Sequence, residues 1–357
     1  MLEVVFLCDA AFYKQASAIM NQADVEVQVK RIMAGKLRRY NTMPWWKYLR
    51  HPSIMLKNLR DSFLLAIGFM QSLWLIASFR PQVIFTKGGF VCVPVGVAAK
   101  IMHTPLVIHD SDAHPGLTNR ILARFASSIA TGYPLEHYHY PKNISHYVGI
   151  PISETYQKQT AIERLALKKK HALPLDKPLL LVTGGGLGAR NINNAVFACI
   201  ELGLLESVTL IHVAGVANFD EINESMKQRP GYFVYPFVDS SVMADYINAS
   251  DIVVTRAGAT TLLELSAAAK AVIIIPNPLL TGGHQLKNAE VYSGRNAAIV
   301  LDENRLKQSP RLLLETVRTL LASPEQQALL ARNNHTLAKP DAAKEMVRII
   351  LKASKKK

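Results

Sequence analysis

The chain has 357 residues with a formal net charge of +14, 49% hydrophobic and 19% charged residues. That excludes a disordered chain and points to two globular domains, since a single core seldom grows to this size. The three cysteines, Cys8, Cys92 and Cys199, lie far apart with no metal or redox spacing, which excludes a disulfide framework and suits a reducing compartment.

In chain order, the predicted strands are Val4–Cys8, Val27–Ile32, Val83–Thr86, Leu106–His109 and Ser128–Thr131, then Leu179–Thr183, Thr209–Val213, Tyr232–Tyr235, Ile252–Thr255 and Ala271–Ile275. Several are continuously apolar and β-rich, the pattern of strands buried on both faces of a parallel sheet. Helices fall between them, so the fold class is α/β, doubly wound, with the alternation run twice. The break is placed at Val148-Gly149-Ile150-Pro151. This gives an N-terminal domain over residues 1–150, a second domain over 151–335, and a closing helix and tail over 336–357, expected to pack back on the first domain.

From Lys30 to Arg60 the chain carries nine Lys/Arg and no Asp or Glu, with Trp45 and Trp46 inside the block. Basic residues interleaved with indoles fit an anionic membrane surface. Ser62–Phe79 has no charged residue; it is read as a helix packed on a sheet and touching lipid rather than as a span. No Met1–Leu7 signal-peptide pattern is present. No RNA-binding motif accompanies the positive charge, so no nucleic-acid partner is expected.

Three strand-end loops carry the chemistry. Thr183-Gly184-Gly185-Gly186-Leu187-Gly188-Ala189-Arg190 follows a strand and lacks the Gly-Lys-Ser/Thr of a Walker A loop. Gly184-x-Gly186-x-x-Ala189 also fits a dinucleotide fingerprint, with Glu201 or Glu206 as ribose acid, which keeps an NAD-dependent oxidoreductase as an alternative. Asp251–Glu264 reads as a strand, a turn at Arg256-Ala257-Gly258, and a helix from about Ala259. The first amides of that helix suit a diphosphate and Glu264 suits a ribose. Pro276-Asn277-Pro278 leads to Gly282-Gly283-His284-Gln285-x-x-Asn288-Ala289, a loop delivering polar side chains. Asp110-Ser111-Asp112 spells Asp-x-Asp, and His137, His139 and His146 cluster in sequence; both are read as non-metal features.

Taken in order, Gly-Gly-x-x-Gly-Ala-Arg, Phe237-Val238-Asp239, Arg-x-Gly-Ala-x-Thr-x-x-Glu and His-Gln-x-x-Asn-Ala resemble one family. It is the transferases that add N-acetylglucosamine (GlcNAc) to the lipid-linked N-acetylmuramic acid (MurNAc) precursor of peptidoglycan, turning lipid I into lipid II. Lys87-Gly88-Gly89-Phe90-Val91 and His109–Asn119 resemble that family's two acceptor-side loops. The resemblance implies a GT-B architecture of two Rossmann-like domains and inverting transfer from UDP-GlcNAc to the MurNAc C4 hydroxyl, with no metal or other cofactor. It places Asp112, Ser153, Gly186, Phe237, Val238, Ala259, Thr260, Thr261, Leu262, Leu263, Glu264, His284 and Gln285 at the donor. Lys87, Gly88, Gly89, Phe90 and Asn119 fall on the acceptor side, and His109 and Asp110 are the catalytic candidates. The implied partners are UDP-GlcNAc, a polyprenyl-pyrophosphate-linked acceptor and an anionic membrane surface, at the cytoplasmic face of the cell membrane.

The chain departs from the family in four ways. The family opens with a strand, a Gly-Gly-x-Gly-Gly-His loop and a helix, whereas this sequence starts at the family's second strand; little transferase activity is therefore expected of it as written. A non-catalytic UDP-sugar-binding protein is the alternative on this ground. Gly186 and Leu187 stand where Ser and Gln are usual, and Ser153 where an Arg is usual. Phe90, Asp110 and Asp112 replace Tyr, Glu and Asn.

Overall fold

A computed structural model describes residues 3–36, 52–186, 188–226 and 229–355. Trp45, Trp46, Leu187 and much of the basic block lie outside these residues. The chain divides into two compact units, Met1–Val148 with Lys344–Lys357, and Gly149–Ala343.

The first unit holds β1 (Val4–Cys8), α1 (Tyr13–Met20), β2 (Val27–Arg31), α2 (Pro52–Phe79), β3 (Ile84–Thr86), α3 (Cys92–Ile101), β4 (Leu106–Asp110), α4 (Leu117–Leu122), β5 (Ser128–Thr131) and β6 (Ser145–Tyr147). All strand pairs are parallel. They form two ladders, β1-β2 and β3-β4-β5-β6. Leu106, Ile108, Leu122 and Ile129 pack as the core under the four-stranded ladder. α2 sits on α3 through Ile76, Ala98 and Ala99. Gly68 lets α2 come against the chain at Met33, because a Cβ there would meet the Met33 carbonyl oxygen.

The second unit adds α5 (Ala161–Lys170), β7 (Leu179–Thr183), α6 (Arg190–Glu201), α7 (Leu204–Ser207), β8 (Thr209–Val213), α8 (Val216–Met226), β9 (Tyr232–Tyr235), α9 (Ser240–Ala249), β10 (Ile252–Thr255), α10 (Ala259–Ala267), β11 (Ala271–Ile274), α11 (His284–Gly294), β12 (Ile299–Val300), α12 (Glu303–Gln308), α13 (Arg311–Ala322) and α14 (Pro324–His335). The chain closes on α15 (Ala342–Ser354). The six strands run in the order β12-β11-β10-β7-β8-β9, all parallel. β7, β8, β10 and β11 are buried along their whole length, as their unbroken apolar runs require. The order reverses between β7 and β10, whose ends Thr183 and Thr255 are in register. Doubly wound sheets bind ligands at that reversal.

The two halves differ at this point. In the second unit the first strand, β7, is the sheet's centre. In the first unit the corresponding position lies between β1 and β3, and among the described residues no ladder joins them. Their apolar residues are correspondingly less covered: Val4 to Leu7 are half-buried and Phe85 is 39% exposed. Two short strands escape the sequence reading, β6 and β12.

Candidate functional site

The reversal point of the second unit opens into a cavity of about 250 Å³. Its floor is Thr183, Gly185 and Gly186 after β7 and Val213 at the end of β8. One wall is Pro236, Phe237 and Val238 after β9, with Ser240, Met243 and Ile247 of α9. The opposite side is Thr261 and Glu264 of α10, and Tyr156 from the segment before α5.

Each part has a local cause. At Gly188, φ is +74°, and a Cβ would stand 2.2 Å from the Ala214 oxygen, so the turn after β7 closes only with glycine. Gly186 has open space where a Cβ would be; its glycine is not a packing requirement. α10 begins directly after β10, with Gly258 as N-cap and no side-chain cap. The first bond within the helix runs from the Leu262 amide to the Gly258 carbonyl, 2.9 Å. The amides of Ala259, Thr260 and Thr261 precede it and carry the positive end of the helix dipole. Phe237 is 58% exposed at the rim, a ring with a free face. Burial raises the Glu264 pKa, and a hydrogen bond from Tyr156 opposes the shift.

Gly186, Phe237, Val238, Thr261 and Glu264 thus meet around one cavity. Three readings need correction. Leu262 is not free to hold a diphosphate, because its amide is bonded within the helix and its side chain is wholly buried. Leu263, 2% exposed, packs inward as well. Ser153 does not line the cavity; its hydroxyl lies 2.9 Å from the Thr155 hydroxyl. The Arg256 guanidinium also turns away, donating to the Ile275 carbonyl at 3.0 Å and to Glu303. Glu303 accepts a further bond from Asn191 at 2.7 Å. His284 and Gln285 open α11, and the Gln285 side-chain oxygen accepts from the Asn277 backbone amide at 2.8 Å, closing its own loop. Glu201, proposed as a dinucleotide acid, pairs with Arg229 and is no part of the cavity.

Sequence reasoning missed Tyr156, Ser240, Met243 and Ile247. Tyr156 carries no local signal, being a single aromatic in a strand-poor stretch. The α9 residues face the cavity only because β9 and α9 fold beside β8.

The acceptor-side candidates gather at the ends of β3 and β4 in the first unit. Gly88 and Gly89 have φ of +84° and +89°. Burial lowers the Lys87 pKa. Asn119 is buried and its amide donates to the His109 carbonyl at 3.1 Å. Its carbonyl oxygen and the Thr86 hydroxyl are buried without a hydrogen-bond partner. His109 is wholly buried, with Nδ1 3.3 Å from the Ser111 hydroxyl. Asp110 accepts from the Tyr140 hydroxyl at 2.7 Å. Phe90 is half-buried. Asp112 gives its carbonyl oxygen to the Tyr138 hydroxyl at 2.6 Å. Among the described residues, no three His, Cys, Asp or Glu side chains are grouped to hold a metal ion.

Burial pushes the Asp110 carboxyl up to about 6, against the hydrogen bonds from Tyr140 and Asn119. A folded pKa above the unfolded one means that the native state binds the extra proton. Stability is fullest below about pH 4, falls as pH rises toward 6, and stays lower above it. Asp110→Asn is therefore expected to raise stability at pH 7.5 by up to about 3 kcal/mol and to change little at pH 4. Denaturant unfolding at both pH values measures this; an equal change at both would refute the assignment. If transfer is also lost while stability rises, Asp110 takes part in the chemistry.

Residues 4–131 match the glycosyltransferase family 28 N-terminal domain, and residues 179–346 match the glycosyltransferase family 28 C-terminal domain. The chain is 34% identical over 309 residues to the UDP-N-acetylglucosamine–N-acetylmuramyl-(pentapeptide) pyrophosphoryl-undecaprenol N-acetylglucosamine transferase of Lachnospira eligens, covering 85% of this chain and 79% of that one. The enzyme of the same name from Treponema pallidum is 33% identical over 326 residues, covering 87% and 79%. Among solved structures, Acinetobacter baumannii MurG aligns with a TM-score of 0.71 at 20% identity, covering 98% of this chain and 91% of that one. A UDP-GlcNAc 2-epimerase from Neisseria meningitidis bound to UDP-GlcNAc aligns with a TM-score of 0.60 at 10% identity, covering 98% and 99%, a likeness of fold alone. The two doubly wound halves have the GT-B fold, and the chain belongs to glycosyltransferase family 28, among its UDP-N-acetylglucosamine–N-acetylmuramyl-(pentapeptide) pyrophosphoryl-undecaprenol N-acetylglucosamine transferases.

Proposed function

We propose that the chain transfers GlcNAc from UDP-GlcNAc to the C4 hydroxyl of MurNAc in a polyprenyl-pyrophosphate-linked acceptor, with inversion at C1. The cavity at the β7/β10 reversal carries this reading. There an exposed aromatic ring, a carboxylate and an uncapped helix N-terminus offer partners for a base, a ribose and a diphosphate. Phe237 stacks on uracil, and the Val238 backbone meets the uracil edge. The Ala259, Thr260 and Thr261 amides take the diphosphate, and Glu264 takes the ribose hydroxyls. His284 and Gln285 lie at the next strand end, where the sugar follows.

In the reaction the acceptor oxygen forms a bond to C1 as the bond from C1 to the diphosphate oxygen breaks. Charge builds on the departing UDP. The helix dipole and amides already point at it, so a metal ion is not needed to stabilise it. The proton of the acceptor hydroxyl goes to a base, for which Asp110 and His109 are the candidates. The test is calorimetric titration of the chain with UDP, UDP-GlcNAc and NAD, followed by a lipid I transfer assay. Saturable binding of the uridine nucleotides and none of NAD is expected. Preference for NAD would overturn the reading.

The same reading puts the first unit at an anionic membrane surface on the cytoplasmic side. Its support is α2, whose Leu56, Leu59, Phe63, Met70 and Trp74 are each between 63% and 71% exposed. Their spacing of three, four, seven and four residues keeps them on one helical face. The segment Met55–Phe79 is long and apolar enough to cross a membrane, and only 22% of its most apolar window is buried. The carbonyls of a surface-lying helix stay bonded within the helix while this stripe enters the lipid. The chain is expected to float with phosphatidylglycerol vesicles at low salt. The double substitution Leu59→Asp, Phe63→Asp is expected to remove flotation without changing UDP affinity. Unchanged flotation would move the contact elsewhere.

A further inference from the structure

We propose that His212 is a positioning residue of the donor cavity: buried between Tyr232 and Asn193, its ring holds the Asn193 amide against the Ala214 carbonyl, on which the glycine turn of the cavity floor is seated. The inference rests on the reading of the cavity as a UDP-sugar site.

β8 is buried along its whole length, and an apolar residue at position 212 would simply continue its run. A buried imidazole costs desolvation unless its ring nitrogens are hydrogen-bonded. Here both are. His212 is wholly buried, with Nδ1 2.9 Å from the Tyr232 hydroxyl on β9 and Nε2 3.0 Å from Asn193 Oδ1 on α6. The Asn193 side-chain amide is buried and donates to the Ala214 carbonyl at 3.0 Å. That oxygen is the atom a Gly188 Cβ would strike, so the turn rests directly on it. The Gly188 amide in turn donates to the Gly185 carbonyl at 2.9 Å. Gly185 and Gly186 line the cavity, whereas Tyr232, His212 and Asn193 do not. The relay therefore reaches a ligand only through the glycine loop.

One arrangement of protons satisfies all these groups. The Ala214 oxygen only accepts, so the Asn193 NH2 faces it and Oδ1 faces the ring. His212 Nε2 then carries the proton. Burial lowers the His212 pKa to about 3, so the ring is neutral and Nδ1 is bare. Nδ1 accepts from the Tyr232 hydroxyl, which burial keeps protonated. Each member has one role, and the phenol fixes the ring that fixes the amide. Without the Nε2 donor, the Asn193 amide turns about its last bond and releases Ala214. The ligand must then order the loop itself, and the ordering is taken from its affinity.

Two substitutions separate positioning from packing. His212→Gln puts a donor near the Nε2 position and keeps the bond to Asn193. His212→Asn puts an acceptor near the Nδ1 position and keeps only the bond to Tyr232. UDP affinity is measured by calorimetry on the full chain, beside the melting temperature. Both variants are expected to melt earlier by similar amounts. His212→Asn is expected to bind UDP roughly tenfold more weakly, the worth of one hydrogen bond, and His212→Gln within about threefold of wild type. Equal losses of affinity, or none in either, would overturn the positioning role and leave the donor-site reading intact. Where neither histidine variant folds, Tyr232→Phe decides: about threefold weaker UDP binding is expected, and unchanged binding would overturn the relay. Nitrogen-15 NMR of the histidine-labelled wild type is expected to show His212 as the neutral Nε2–H tautomer from about pH 5 to about pH 8. An Nδ1–H or charged ring would overturn the relay as well. A wild-type chain that binds no UDP would overturn the donor-site reading and this inference together.

Discussion

Replacing Arg256 with alanine is expected to destabilise the second unit by about 3–5 kcal/mol, the usual cost of stranding one partner of a buried ion pair. Glu303 is the stranded group. Its side chain is 2% exposed and that of Arg256 is 11% exposed. Asn191 satisfies one Glu303 oxygen and cannot neutralise it. The Ile275 carbonyl, at the end of the β11 run, loses its donor at the same time. For a unit of this size the melting temperature should drop by roughly 10 °C. The pair itself is not a large net gain, because both charges were taken out of water to form it. Arg256→Met combined with Glu303→Leu is therefore expected to recover most of the loss. The diagnostic measurement is UDP affinity at a temperature where Arg256→Ala remains folded. The guanidinium is no part of the cavity, so affinity should be nearly unchanged. A large loss of affinity in the folded variant would instead place Arg256 at the diphosphate.

Arg256 also shows where sequence reading stops. The motif places an arginine two residues before Gly258, beside an expected diphosphate, and charge alone suggests a clamp. Which way the side chain turns depends on Glu303, 47 positions later in the chain. No local pattern carries that information. Tyr156 is the reverse case, a cavity residue with no motif around it. By contrast β7, β8, β10 and β11 were legible because burial on both faces forces an unbroken apolar run. The start of α10 was legible because a buried strand must end, turn and enter a helix within a few residues. β6 and β12 were not, since each is very short and lies at the edge of its ladder. His146 faces solvent in the middle of β6, so little apolar signal remains there. The interruption between β1 and β3 was invisible for a further reason: strand order is set by packing, and the sequence of each strand looks the same whichever neighbour it has.

Glu264→Ala is expected to weaken UDP binding by roughly a hundredfold or more, corresponding to about 3 kcal/mol for two lost hydrogen bonds to a charged group. The argument runs through geometry first. Glu264 lies one turn into α10, beyond the amides of Ala259 to Thr261, on the face that carries Thr261 into the cavity. A ligand whose diphosphate sits at the helix end must place its ribose within reach of this carboxylate. Burial raises the Glu264 pKa, so its carboxylate is short of water. Ribose hydroxyls supply what is missing. The interaction is present in the bound substrate as fully as in the transition state, because the ribose does not react. The loss is therefore expected in KM and in the UDP dissociation constant, with kcat at saturation changed far less. Glu264→Gln keeps the shape and one acceptor, and should fall between the wild type and Glu264→Ala. Adding the Asp110→Asn change should leave the UDP dissociation constant of Glu264→Ala as it was, since Asp110 is not among the residues lining the cavity. Wild-type affinity in Glu264→Ala would remove the ribose from α10 and with it the order of base, ribose and diphosphate along the β7/β10 reversal.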